Sequence, residues 1–351
     1  AASTGATARA AWEQAAAGVI TTPEWIAAWN ATGTDGWDAD LPSYEIGTSL
    51  ATRKAIQKAL DATYDALPGL ISGSADLTGS NGTGLDRTTA HTSDDAAGRY
   101  LHYGIREHAM GAALVGMAQH GGLLPIGGTF FVFSDYMRPS IRLAALSGAK
   151  CCFVFTHDSV GVGEDGPTHQ PIEQLASLRA MPALHVLRPA DGNETIEAWA
   201  DVVRHDGPSV LVLSRQNIRV TTDGSAVARG AGVVSDPDRA PEVVLVGTGS
   251  EVEVCVDAAT ALADRGVAAR VVSLPSWDRF AAQGQSFRDE MLPPGVPVLS
   301  VEAGTTFGWE RYADDSIGID RFGASAPGGL VLDKLGISVE HVVERAAALL
   351  T

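Results

Sequence analysis

The sequence predicts two α/β domains built on mainly parallel sheets, and three observations carry that expectation. From Ser43 to about Asn217, short apolar runs rich in β-branched and aromatic residues alternate with stretches of helical periodicity, the order that builds a parallel sheet. The turn-rich segment from Thr221 to Ala240 (TTDGSAVARGAGVVSDPDRA) breaks the alternation, and a strand, turn, helix and strand pattern resumes beyond it. At 351 residues the chain is also longer than one hydrophobic core comfortably fills. The expected organisation is a connecting segment over 1–43, a first domain over 44–225 and a second over 226–351.

Residues 1–43 are rich in Ala, Thr and Gly, carry four tryptophans (Trp12, Trp25, Trp29 and Trp37) and show only short helical patterns, as expected of a linker that packs on a neighbour. Helical spacing follows over 49–67 (SLATRKAIQKALDATYDAL), then a short strand at 70–76 (LISGSAD) and a Gly-rich loop. Next come a strand at 100–105 (YLHYGI), a helix at 107–120, a strand at 123–131 (LLPIGGTFF) and a helix at 134–148. Ala149 to Phe155 (AKCCFVF) has the length and residue types of a buried strand. After Pro171, a residue suited to a helix start, IEQLASLRAM repeats apolar side chains at helical spacing, and the strands LHVLRP and SVLVLS close the first domain. In the second domain GTGSEV resembles half of a dinucleotide fingerprint. Val252 stands where the third glycine belongs and no acid ends the following strand, so Gly247 and Gly249 read as a tight strand-to-helix turn.

Composition narrows the function classes. Hydrophobic residues make up 45% and charged residues 19%, as in a folded globular chain. The formal net charge is −17 and no cluster of Lys and Arg could track a phosphate backbone, which argues against nucleic acid as a partner. Cys151, Cys152 and Cys255 all fall in apolar segments, and an adjacent pair is poorly placed for a structural disulfide; a reducing cytoplasm is the expected compartment. No run approaches the roughly 18 apolar residues of a membrane span, and the N-terminus lacks the apolar stretch of a signal peptide. The first residue is Ala rather than Met, so processing or truncation is expected to have removed a segment, and a large one on the motifs below.

Two segments carry chemistry. Thr156 to Glu173 (THDSVGVGEDGPTHQPIE) packs two histidines, four acids, three glycines and two prolines into one turn-rich run at the carboxyl end of a predicted strand, where open α/β sheets place ligands. Its alternative reading is a solvated turn. In GIREHAM a strand runs straight into a helix and Glu107 falls in the first helical turn. A carboxylate there either complements the helix dipole or, if buried, holds a proton for a ligand nitrogen.

The segments SLATRKA, GSADLTGSN, GRYLHYGIREHAM, GGTFFVFSDY, THDSVGVGEDGPTHQPIE, LRPADGNE, LSRQN, VGTGSEVE and GIDRFGAS resemble those of the transketolase family, in the same order and with comparable gaps. They match its pyrimidine-binding domain followed by its C-terminal domain, and WDADLPSYE resembles the linker after its diphosphate-binding domain. That last domain has no counterpart in these residues, nor is there a Gly-Asp-Gly followed by an Asn pair for a magnesium diphosphate.

The resemblance implies thiamine diphosphate and Mg2+ as cofactors, with the metal and diphosphate ligands outside this chain. Glu107 matches the acid that protonates the aminopyrimidine. Phe130, Phe133 and Tyr136 match aromatics enclosing that ring, and Asp76 a residue near the cofactor; from the residues alone the aromatics read as core and Asp76 as an Asx turn. His157 and His169 match groups that contact the sugar's reacting oxygens and assist proton transfer. Asp165 matches the acid that reads a substrate hydroxyl. Arg53, Ser80 and Arg215 match the phosphate-end contacts, against a plain reading as surface salt bridges and a turn hydroxyl.

The implied activity is transfer of a two-carbon ketol unit from a ketose phosphate to an aldose phosphate. The chain by itself is expected to be inactive, and to work as a homodimer or paired with a separate diphosphate-binding chain. Dihydroxyacetone synthase, 1-deoxyxylulose-5-phosphate synthase and the β subunit of a pyruvate dehydrogenase share the architecture. Both loop histidines, GEDGPTHQ and Arg215 favour the sugar-phosphate enzymes. From other classes stand a non-catalytic fragment and a metal-dependent hydrolase ligated by His157, Asp158, Asp165 and His169, although no metal site is expected.

Overall fold

The computed structural model describes residues 2–351. Its strands in chain order are β1 (Ser49–Leu50), β2 (Leu70–Ser74), β3 (Tyr100–His102), β4 (Leu124–Phe130), β5 (Cys152–Thr156), β6 (His185–Leu187), β7 (Ser209–Leu213), β8 (Ile218–Arg219), β9 (Gly232–Ser235), β10 (Val243–Gly247), β11 (Ala269–Ser273), β12 (Val298–Val301) and β13 (Asp315–Ile317). Six of them form one sheet in the order β3-β2-β4-β5-β7-β6, every pair parallel. Five form a second sheet, β13-β12-β10-β11-β9, parallel except where β9 pairs antiparallel with β11. The expected pair of α/β domains is therefore present.

Parallel sheets are covered on both faces, so their central strands read as continuous apolar runs. All five residues of β5 are buried, and so are those of β7 and β10. One face of the first sheet packs on helices 107–120 and 134–147, with Met110, Leu114, Met137 and Ile141 fully buried among Phe153 and Phe155. The other face packs on helices 52–63 and 192–204 around Ile56, Leu60 and Trp199. Cys151, Cys152 and Cys255 are free and buried, and burial pushes the Cys151 thiol up to about 12. Among the described residues no helix is long and apolar enough to cross a membrane.

Three elements depart from the sequence reading. Ser49 and Leu50, expected at the head of a helix, instead pair antiparallel with Arg219 and Ile218, and the helix spans Thr52–Thr63. A long-range pairing has overridden local periodicity. A helix over Gly192–Arg204, absent from the reading, lies between β6 and β7. Its signal was present: Asp191 accepts a hydrogen bond from the Glu194 amide at 3.1 Å while Glu194 reaches back to the Ala190 amide at 2.7 Å, a close relative of the capping box, and Ile196, Trp199 and Val203 follow at helical spacing. Third, the N-terminal segment holds a 15-residue helix, Ala2–Ala16, with no buried residue, rather than short helical pieces alone.

Candidate functional site

Most of the candidate residues gather because they follow the carboxyl end of a parallel strand or begin the helix after it; Arg53 instead lies at the start of the helix 52–63, which follows the antiparallel strand β1. Across the sheet, Glu107 lies beyond β3, Asp76 and Ser80 beyond β2, Phe130 ends β4, His157 follows β5 and Arg215 lies beyond β7. Residues scattered over 139 positions thus share one edge, the crevice where open α/β sheets bind ligands; Glu107 starts the helix 107–120 and is nearly buried at 9% exposure. Its carboxylate makes no hydrogen bond or ion pair among the described residues, which leaves it available to a ligand.

The rings form a single cluster. Phe130 and Phe133 stack with centroids 6.0 Å apart, and the imidazole of His157 lies 3.7 Å from the Phe130 centroid. His169 meets Phe133 edge-on at 5.5 Å and Phe130 at 6.2 Å, and Tyr136, 67% exposed, lies 5.9 Å from Phe133. Both histidines therefore belong to the same aromatic wall, and core packing does not account for an exposed Tyr136.

His157 is held in an unusual way. Its φ is +64°, the left-handed region that costs a residue with a Cβ, and it is buried. Its Nδ1 lies 2.9 Å from the Thr156 hydroxyl, which accepts a hydrogen bond from the Asn81 amide at 2.8 Å; Asn81 in turn accepts from Ser74 at 2.9 Å. Since Asn81 already donates to Thr156, the assignment that satisfies every group has the hydroxyl donating to Nδ1 and leaves the proton on Nε2. Burial first, then Arg53, Arg215 and His169, hold the pKa of His157 down at about 3. At neutral pH it is a neutral hydrogen-bond donor rather than a titrating acid, a refinement of the role expected from its residue type. Nothing in the residue spacing flagged Ser74, Asn81 and Thr156.

Arg53 and Arg215 are neighbours, Arg53 Nε lying 3.4 Å from the Arg215 carbonyl and its Nη1 donating to the Ser80 carbonyl at 2.9 Å. Neither guanidinium has an acidic partner among the described residues, so the surface salt bridge alternative fails. Burial and the nearby Arg215 lower the pKa of Arg53. Two adjacent unpaired guanidiniums in a chain of net charge −17 mark a place for an anion. Asp76 has φ +63° and an exposed side chain that accepts nothing from its turn, so the Asx turn reading fails as well. Asp165 is exposed on the loop and makes no side-chain hydrogen bond. It alone of the loop's candidates is not brought against another.

The loop leans on the second domain. Asp158 accepts from Arg188 Nε and Nη2 at 3.1 and 2.8 Å, which commits it to that pair; among the described residues no three metal-ligating side chains gather. Arg188 also reaches Glu251 at 2.5 Å and both oxygens of Thr248 at 3.0 Å. Beside it Arg179 grips Glu302 with two bonds of 2.9 and 2.8 Å. Gly249, with φ +56°, has room only for hydrogen, because a Cβ would fall 2.5 Å from Arg188 Cζ. The turn that resembled half a nucleotide fingerprint is thus filled by an arginine of the first domain.

Comparison with known proteins gives one consistent outcome. The family described as "Transketolase, pyrimidine binding domain" matches residues 48–221, and "Transketolase-like TK C-terminal domain" matches 230–338. The transketolase of Halalkalibacterium halodurans is 51% identical over 327 residues, which is 90% of this chain and 49% of that protein. Among solved structures, transketolase from Leishmania mexicana superposes with a TM-score of 0.94 at 43% identity, covering 98% of this chain and 52% of that one. A Pichia stipitis transketolase solved with sedoheptulose 7-phosphate gives 0.91 at 39% identity, over 97% of this chain and 51% of that one. The chain spans about half the length of the curated relatives it matches.

Proposed function

Since the chain belongs to the transketolase family, of which it carries the pyrimidine-binding and C-terminal domains, we propose that its crevice is the pyrimidine-side and sugar-side half of a thiamine diphosphate site for ketol transfer between sugar phosphates. The observation that carries the reading is the convergence of a nearly buried unpaired carboxylate, an aromatic wall bearing two histidines and a pair of unpaired guanidiniums on one sheet edge. The residues fit the pyrimidine end of the cofactor. Among the described residues there is no metal-ligating cluster for the diphosphate end, which in this reading would be held by residues outside these 351.

Thiamine diphosphate, when bound, supplies the electron sink that lets a carbon–carbon bond beside a carbonyl break and reform. The chain's own residues divide the remaining work. Glu107 meets the ring nitrogen of the aminopyrimidine and holds a proton there, and Phe130, Phe133 and Tyr136 enclose the ring and exclude water. His157 donates from Nε2 to a sugar oxygen, with its tautomer set by Thr156, and His169 beside it handles the proton of a neighbouring oxygen. Asp165 reads a sugar hydroxyl and Asp76 lies near the cofactor. Arg53, Ser80 and Arg215 take the phosphate, which a bidentate guanidinium suits. Tyr136, Leu143 and Leu146, at helical spacing on the helix 134–147, and Ile105 are exposed apolar side chains that suit pairing with a second copy or with a diphosphate-binding chain.

The sugar-phosphate reading is tested by replacing Arg53 and Arg215 with alanine in the assembled enzyme. Charge-assisted bonds contribute about 1.5–3 kcal/mol each, so KM for a ketose phosphate is expected to rise by about ten- to a hundredfold per arginine, with KM for unphosphorylated hydroxypyruvate little changed. Equal losses for both donors would remove the phosphate from the reading.

A further inference from the structure

The second sheet has its own switch point. β10 lies between β11 and β12, so the crevice at their carboxyl ends, rimmed by Thr248, Glu251, Ser276 and Glu302, is where this α/β domain would bind a ligand. It is occupied by the first domain. Arg188 and Arg179 enter it and together engage Thr248, Glu251 and Glu302, all of them at least 95% buried. Burial works against the charge on Glu302, and Arg179, Arg188 and the Thr248 hydroxyl together more than offset it, holding that carboxyl below its usual range. The domain therefore treats two arginines of its neighbour as a permanent internal ligand.

The other edge of the Arg188 guanidinium grips Asp158, the residue after His157. Elsewhere the same loop is backed by the second domain through backbone. Gln170 donates to the carbonyls of Gly163 and Ala324 at 2.9 Å each, Ser325 donates to the Glu164 carbonyl at 2.5 Å, and the Thr305 amide donates to the Ile172 carbonyl at 3.0 Å. At Gly328 a Cβ would lie 2.4 Å from the Gly161 carbonyl oxygen, so the approach admits no side chain. A positive φ at a residue with a Cβ persists only where its surroundings over-determine it. At His157 the restraints are Thr156 on one side and the Asp158–Arg188 pair on the other.

We propose that the C-terminal domain positions the sugar-facing loop, and that Arg188, seated on Glu251 and Thr248, is the positioning residue that fixes His157 through Asp158. The inference rests on the functional reading only for what His157 does; the restraint itself is a property of this chain. Arg188 acts through another residue and touches no substrate.

The test uses the chain without cofactor or sugar, so its outcome is separate from that of ketol transfer. Glu251→Gln keeps volume and removes the anchoring charge. The expected result is at least tenfold faster hydrogen exchange at the amides of 157–163, unchanged exchange in β7, and an upward move of the His157 titration midpoint by at least one pH unit as the ring loosens, followed by NMR. In an Asp158→Asn background, where the link is already cut, Glu251→Gln is expected to add nothing. Should Glu251→Gln unfold, seen as lost protection in β7, Thr248→Val removes one hydrogen bond to the same guanidinium and is read the same way. Unchanged loop exchange and titration in a folded variant, or effects that simply add in the Asp158→Asn background, would overturn the proposal.

Discussion

Glu107→Gln is expected to lower ketol transfer by the assembled enzyme by about 10²- to 10⁴-fold, the usual contribution of a positioned acid or base. The substitution keeps the side chain's shape and the helix start, and takes away the proton that only a carboxyl group can share with a ring nitrogen. Stability should not follow activity. The carboxylate makes no internal hydrogen bond or ion pair, and its interaction with the helix N-terminus contributes about 0.3–1 kcal/mol at most. The measurement is a pair: steady-state transfer and thermal unfolding on the same preparation, with cofactor affinity by calorimetry as the third reading. A fall in activity that tracked a fall in melting temperature would assign Glu107 to structure instead.

The largest effect on stability is expected at the domain junction. Arg188→Met should cost about 3–5 kcal/mol, because it leaves Asp158 and Glu251 buried with one charged partner removed. Burial already raises the pKa of Glu251, and Arg188 works against that shift. Without the guanidinium the carboxyl's pKa should rise further, which favours the protonated folded form, so the deficit should shrink as pH is lowered. Urea unfolding at two pH values reads both the size and the sign. A loss under about 1 kcal/mol would mean that Arg188 contributes little to holding the two domains together beside the Arg179–Glu302 pair.

How much of this was legible in the sequence depended on the range over which each feature is determined. The helix over 107–120 and the strands β4, β5 and β7 follow from local periodicity and lie where the residues placed them to within three residues. Ser49 and Leu50 do not, because their state is set by Arg219 and Ile218, nearly 170 positions away. The helix holding Trp199 was readable from Asp191 and Glu194 but its start is masked by Gly192 and Asn193, residues that also signal a turn. In the site, residue types placed the histidines and aromatics on one loop and one strand end, and the geometry brings their rings together. Asn81 and Thr156 could not be found that way, since a buried hydroxyl and amide are recognisable only by their partners. The unpaired state of Arg53 and Arg215 is likewise a fact about what surrounds them.

The central claim is that this crevice is one half of a ketol-transfer site, and complementation tests it most directly. The 351-residue chain is mixed with thiamine diphosphate, Mg2+, xylulose 5-phosphate and ribose 5-phosphate, with and without the separately produced diphosphate-binding half of a relative such as the Halalkalibacterium halodurans transketolase. The account predicts negligible transfer by the chain alone and transfer once the complementing half is present. Turnover by the chain alone at rates typical of enzymes, about 1 s⁻¹ or more, or none with a half that does restore the relative's own C-terminal portion, would contradict it.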